Sequence, residues 1–214
     1  MKKKLSTILM AVICLSMLLG GCGQKPTPEL AQKYVQASLD VCYKGIYEPY
    51  MEITESTEEE AKALYEDVLD QNMEASDFEE GLLDSETLEQ IRQLYADMLN
   101  NCKYTVENAQ EDGDGFTVDV IVEPLLFDIN AIGEEIMSAF SQLTPEEQMF
   151  YQENEDEQTK YTVTLMMDIL SSKVTSPEYA EPATITVHIQ PDSNNVLTIA
   201  EEDMLEIDNS LITM

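Results

Sequence analysis

The chain contains no tryptophan, a single histidine and few basic residues: 11 Lys and Arg stand against 43 Asp and Glu, a formal charge of −32. Each scarcity removes a class of function. A surface that grips nucleic-acid phosphates needs clustered Lys and Arg, so no nucleic-acid partner is expected. Saccharide platforms lean on Trp, which weakens a carbohydrate-binding reading. Any nucleophile–His pair would have to use His188, and metal sites built from His and Cys are starved of ligands. Alternation places His188 on the polar side of a strand, facing solvent. No Gly-rich phosphate loop and no dinucleotide fingerprint is present.

The abundance of acids points to no particular chemistry. With 43 of them some carboxylate pair is inevitable, so a carboxylate-based hydrolase has no specific signal behind it. Asp112 and Asp114 beside glycines resemble the opening of a calcium loop, with Glu123 at its twelfth position. Phe116 and Thr117, however, stand where such a loop requires an oxygen donor and a glycine. A hairpin turn is the better reading. No catalytic residue, cofactor or metal ligand is assigned.

What is present begins at the N-terminus. Lys2, Lys3 and Lys4 precede an apolar run from Leu5 to Leu19, closed by Gly20-Gly21-Cys22. This is the order of a secretory signal, and the run is short for a membrane-spanning helix. The ending Leu19-Gly20-Gly21-Cys22 resembles the lipobox of bacterial lipoproteins. That resemblance implies cleavage before Cys22, acylation of its thiol with palmitate-type chains, and anchorage on the outer face of the cell membrane. Each buried lipid CH₂ contributes about 0.8 kcal/mol, so two or three chains hold firmly. The expected division is a signal peptide over 1–21, a lipidated cysteine and short tether over 22–27, and one acidic domain over 28–214. The five residues from 23 to 27 reach at most about 17 Å, so the domain is expected to sit near the bilayer.

Residues 1–21 hold three of the eleven basic residues and none of the acids, so the remaining chain carries −35. Such a surface suits a cationic or protein partner rather than an anionic lipid surface. Like charges in this density predict carboxylates that titrate above their usual value of about 4. Cys14 leaves with the signal. Cys42 and Cys102 remain as a candidate disulfide, which would close a loop of some sixty residues and stabilise by about 4 kcal/mol in the chain-entropy model. Two separate buried thiols are the alternative.

Along the chain, Thr27-Pro28 predicts a helix start, with Leu30, Ala31, Tyr34, Val35, Leu39, Val41 and Cys42 inward and Gly45 as its end. Tyr47, Tyr50, Met51 and Ile53 read as an apolar connection; with Tyr34 and Tyr43 these tyrosines suit core packing better than a pocket. Thr57 to Glu60 is a capping box for a second helix, and a third starts near Asp84 or Ser85 and stops at Asn100-Asn101. The period then changes. Lys103–Gln110 and Phe116–Glu123 read as a hairpin around Asp112-Gly113-Asp114-Gly115. Ile132 to Leu143 and Thr144-Pro145 onward read as helices, with Glu153 to Glu157 a solvated acidic knot. Tyr161 to Leu170 fits both periods, and its length favours helix. Strands over 184–190 and 196–199 and a short helix over 201–211 complete the chain.

Two hairpins with helices before them predict an α+β domain: N-terminal helices on a small curved antiparallel sheet. The run Tyr34 to Gly45, with Thr57 to Ala61 and the segment Ala183 to Asp203, resembles uncharacterised lipoproteins of Gram-positive, clostridial-type bacteria. The closing arrangement is similar to the cone of nuclear transport factor 2 and the cystatins, which implies a helix packed in a curved sheet and no particular activity. The expected function is a non-catalytic interaction or binding module; a small-ligand carrier using a cone pocket, or a carboxylate hydrolase, are the alternatives.

Overall fold

The computed structural model describes residues 26–76 and 81–213; the signal sequence and Cys22 lie outside the described residues. The molecule is an α+β structure, with helices packed on a small antiparallel sheet.

Helix α1 (Pro28–Lys44) starts as its sequence demands: the Thr27 hydroxyl accepts from the Leu30 amide and proline occupies the first turn. Gly45 ends it at φ 59°, a left-handed conformation that glycine adopts without penalty. Helix α2 (Glu48–Thr54) occupies the stretch read above as an irregular connection. Pro49 stands in its first turn and Tyr50 is buried, so tertiary packing supports a helix only two turns long. In α3 (Glu58–Ala75) both halves of the Thr57–Glu60 capping box are made. Helix α4 (Ser85–Asn101) is capped by Asp84.

The main sheet has the order β1–β2–β4–β5, all antiparallel: β1 (Lys103–Asp112), β2 (Gly115–Glu123), β4 (Ala183–Pro191) and β5 (Leu197–Ile199). Gly115 is required where β2 begins, because a Cβ there would stand 2.4 Å from the Ile189 carbonyl oxygen. Val118, Val120 and Val122 of β2 and Val187 and Ile189 of β4 are fully buried on one face. Against that face pack Val35, Leu39 and Tyr43 of α1 and Met204, Ile207 and Leu211 of α8 (Glu201–Leu211), forming one apolar core. That face of the sheet is therefore filled with side chains. The opposite face carries Thr184, Thr186, His188 and Gln190 to solvent.

β1 is an edge strand. Asn108, at φ 56°, breaks its register against β2 between Glu107 and Gln110, and Gln32 Nε2 donates to the Val106 carbonyl at 2.9 Å. Helix α1 runs against the direction of β1. Gln32 near its start reaches Val106, whereas Asp40, two turns later, accepts from the Tyr104 hydroxyl at 2.8 Å.

Between β2 and β4 the chain makes an excursion. The short strand β3 (Leu125–Leu126) pairs in parallel with β6 (Ile212–Thr213), and three helices follow: α5 (Ile129–Gln142), α6 (Pro145–Glu153) and α7 (Glu155–Thr175). A second, smaller apolar cluster of Leu94, Met98, Leu125, Phe127, Ile132, Ile169 and Val174 fastens this arm to α4. Tyr161–Leu170 lies wholly in α7, and the acidic knot is the joint at Asn154 with the first turn of α7. Among the described residues no helix is long and apolar enough to cross a membrane.

Candidate functional site

The arm formed by α5, α6 and α7 differs from the rest of the molecule in how little of itself it hides. α5 buries only Ile132, α6 buries no residue, and α7 buries Ile169 and Val174. It holds its shape through local devices. Asp128 accepts from the amides of Asn130 and Ala131 at the start of α5. Thr144 and Glu147 form a complete capping box at the start of α6, with Pro145 in its first turn. These hydrogen bonds, the one from the Thr144 hydroxyl first, hold the Glu147 carboxyl below its usual range.

An aromatic cluster joins the three helices. Tyr151 of α6 stacks on Tyr161 of α7 with ring centroids 4.9 Å apart, and Phe140 of α5 meets Tyr161 edge-on at 5.2 Å. Phe150 sets its ring at 71° to Tyr151. Such geometries suit the ring quadrupole and add about 0.5–1.5 kcal/mol per pair beyond area burial. Beside the cluster lies an open cleft of about 270 Å³ lined by Phe140, Ser141, Gln148, Tyr151, Gln152 and Gln158. None of these side chains is charged, in a chain where one residue in four is. Gln148 is committed to the Leu143 carbonyl at 3.1 Å.

Exposed apolar side chains collect on the same arm. Of the eight large hydrophobic residues that stand exposed among the described residues, six lie between 126 and 166, with Met137 at 74%, Met149 at 57% and Phe150 at 49%. Met137 lies one helical turn from the cleft-lining Ser141, and Met149 one turn from Gln152. Nine acidic residues and two lysines occupy 129–175. Lys160 pairs with Glu157 at 2.8 Å and Lys173 with Glu135 at 3.3 Å, so both lysines are already neutralised within the arm. The arrangement offers a neutral cleft, a soft apolar rim and an acidic border.

The residues singled out in the sequence are not gathered here. Cys42 is 4% exposed and Cys102 1%, in the main core, and both are thiols rather than halves of a disulfide. Cys102 Sγ points at the Met98 carbonyl at 3.5 Å, closing the end of α4. Burial pushes the Cys102 thiol up to about 12, the nearby Lys44 opposing and Asp208 adding to the shift, which makes it a poor nucleophile. His188 is half exposed on its strand, as alternation predicts, and its Nδ1 lies 2.9 Å from Asp203. The same carboxylate accepts from the His188 amide at 2.6 Å, so Asp203 joins the start of α8 to β4. The Asp112–Gly115 segment is the turn of the β1–β2 hairpin, and among the described residues no cluster of His, Cys, Asp and Glu is arranged to hold a metal ion. Tyr43 and Tyr50 belong to the core, with Tyr34 and Tyr47 packed against it.

The cleft itself was missed. The helical reading of Ile132 to Leu143 takes in Phe140 and the ambiguous segment begins at Tyr161, but nothing in the spacing brings either ring to Tyr151. The usable signal is compositional: Met149-Phe150-Tyr151 is an apolar run on a helix whose other residues are Pro145, Glu and Gln.

No known family model matches the chain, and no curated protein matches it. Among solved structures it is similar to the crystal structure of ycdA from Bacillus subtilis, described as a candidate lipoprotein. The TM-score is 0.59 at 16% identity, over 86% of this chain and 56% of that one. The chain thus spans little more than half the length of that protein, and the likeness is one of fold.

Proposed function

We propose that the chain is a lipid-anchored extracellular lipoprotein that acts as a non-catalytic binding module, with the α5–α7 arm as its binding face. Residues 1–21 are its signal, Cys22 carries the lipid, 22–27 form the tether and the rest is one domain. The observation that carries the binding reading is the distribution of apolar surface. The core packs closely around α1 and the sheet, while exposed Met and Phe side chains collect on one arm around a cleft. Collected apolar exposure of this kind marks an interaction surface. Packing of Val35, Leu39, Tyr43, Val118 and Val187, all at 0% exposure, favours this over a carrier with a ligand between helix and sheet.

The topology supports presentation of the arm. α1 begins toward the hairpin end of the sheet. The arm is rooted at the other end, where the Ala180 amide donates to the Pro124 carbonyl and the Tyr179 hydroxyl to Asn101. A fold similar to that of a candidate lipoprotein supports the lipoprotein reading.

Replacement of Cys22 by Ala tests the anchor. The variant should move from the detergent phase to the aqueous phase on phase separation. Its persistence in the detergent phase as processed protein would overturn the reading.

A further inference from the structure

We propose that the cleft on the α5–α7 arm is an anchor pocket for one aromatic or large apolar side chain of a cationic, amphipathic protein segment. This deepens the binding-module reading and rests on it.

Three observations converge. The cleft volume, about 270 Å³, matches a single large side chain rather than an extended ligand. Its walls are aromatic rings and neutral amides, so an inserted apolar ring meets ring edges and no unpaired charge. Met137 and Met149, each one helical turn from a lining residue, are exposed and unbranched, the side chains that adapt to varied apolar partners. A central pocket with a water-excluding apolar surround is the arrangement on which binding energy concentrates.

Charge selects the occupant. The arm carries nine acids, and both of its lysines are held in internal ion pairs. Glu153, Glu155 and Asp156 lie at the α6–α7 joint, within a turn of Gln152 and Gln158. An anionic segment would be repelled on approach. A Lys- or Arg-bearing segment is drawn in and oriented, with its apolar stripe against the methionines. A neutral saccharide would gain nothing from this border, and the exposed methionines offer it no hydrogen bonds.

The absence of tryptophan from the chain makes the test clean, because a Trp-bearing probe reports alone. The processed full chain is placed in phosphatidylcholine nanodiscs, with empty discs as the blank. It is titrated with a sixteen-residue Lys/Leu amphipathic peptide carrying one central Trp, with the same peptide bearing Glu for Lys, and with a neutral oligosaccharide. The expected result is saturable binding of the cationic peptide with a blue shift of its Trp emission, and no shift for the anionic one. Two variants separate the cleft from bulk charge, since neither alters it: Met149→Gln with Phe150→Gln, and Ser141→Tyr, which fills the cleft. Each should weaken the cationic peptide by about tenfold or more, with helical circular dichroism unchanged. Unchanged affinity in both variants would mean that net charge alone holds the peptide, and overturns the proposal. Equal binding of the anionic peptide, absence of peptide binding, or binding of the oligosaccharide in its place would also overturn it. None of these outcomes bears on the Cys22 test, so anchor and pocket fail separately.

Discussion

The hydroxyl of Tyr43 donates to a carboxylate, Asp208, that lies 165 residues further along the chain. Both residues are buried, Tyr43 at 0% and Asp208 at 4% exposure. Tyr43→Phe removes the donor and leaves the carboxylate in the core, so it should destabilise by about 3 kcal/mol, read as a fall in the urea midpoint. Tyr43→Phe combined with Asp208→Asn should cost less than the sum of the two single changes. Burial raises the Tyr43 hydroxyl well above its ordinary value, and the charge of Asp208 adds to the shift. Tyr104, half-buried and bonded to Asp40, is raised too, and Cys102 reaches about 12. In the unfolded chain these groups ionise at about 8.5 for Cys and about 10 for Tyr. The native state therefore holds protons that the unfolded state releases. Their contribution is complete below about pH 8 and declines as pH rises through the range up to about 12. Urea midpoints measured from about pH 7 to 11 should fall steadily at the alkaline end; a flat profile contradicts the burial of these groups. None of this was legible in the sequence. Asp208 reads as an ordinary polar position on a short helix, and no local pattern links it to Tyr43.

Helix ends, by contrast, were legible almost to the residue, because a cap is made by side chains three positions apart. Thr27, Thr57, Asp84 and Thr144 all stand where their sequences put them. Helix α2 escaped because its stability comes from what Tyr50 packs against rather than from its seven residues. α7 was ambiguous because Tyr161, Val163 and Leu165 alternate by accident on a half-buried helix. The same caps correct the expectation that crowded acids titrate high. Glu29, Glu60, Asp84, Glu147 and Asp192 are displaced downward, chiefly by hydrogen bonds at helix starts and a turn, and Glu58 by Lys62. A depressed folded value gives stability that is present above the unfolded value of about 4 and is lost as pH falls through the folded one. Acidification through about pH 4 and below should therefore lower the thermal midpoint rather than raise it. Thr144→Ala, which removes a cap on the least buried helix, should cost about 1 kcal/mol, measurable as faster amide exchange in α6 than in α1.

At the scale of the molecule the two cysteines are the plainest test of the core. Both lie in one apolar cluster, so a thiol reagent should modify neither in the folded state and both on unfolding. Mass analysis without reductant should show the intact domain with two added groups only after denaturation; a chain that resists labelling even when unfolded would mean that the sulfurs are bridged. The fold class was legible because a change of period from 3.6 to 2 survives in the sequence, and the main core because apolar positions align. The arm's exposure was not, since a helix that buries one face and a helix that offers it read alike.

The edge of the sheet bears on crowding. A lipid confines a protein to a plane, where encounters with its own copies are far more frequent than in solution, and an open strand ten residues long would invite each copy to continue the ladder of the next. β1 does not present a continuous template: Asn108 puts the pairing out of step midway, and Gln32 already occupies the Val106 carbonyl. On the proposed anchor, the bulge and the glutamine would let many copies share a small area of surface as separate molecules, where a regular strand would zip them into a sheet.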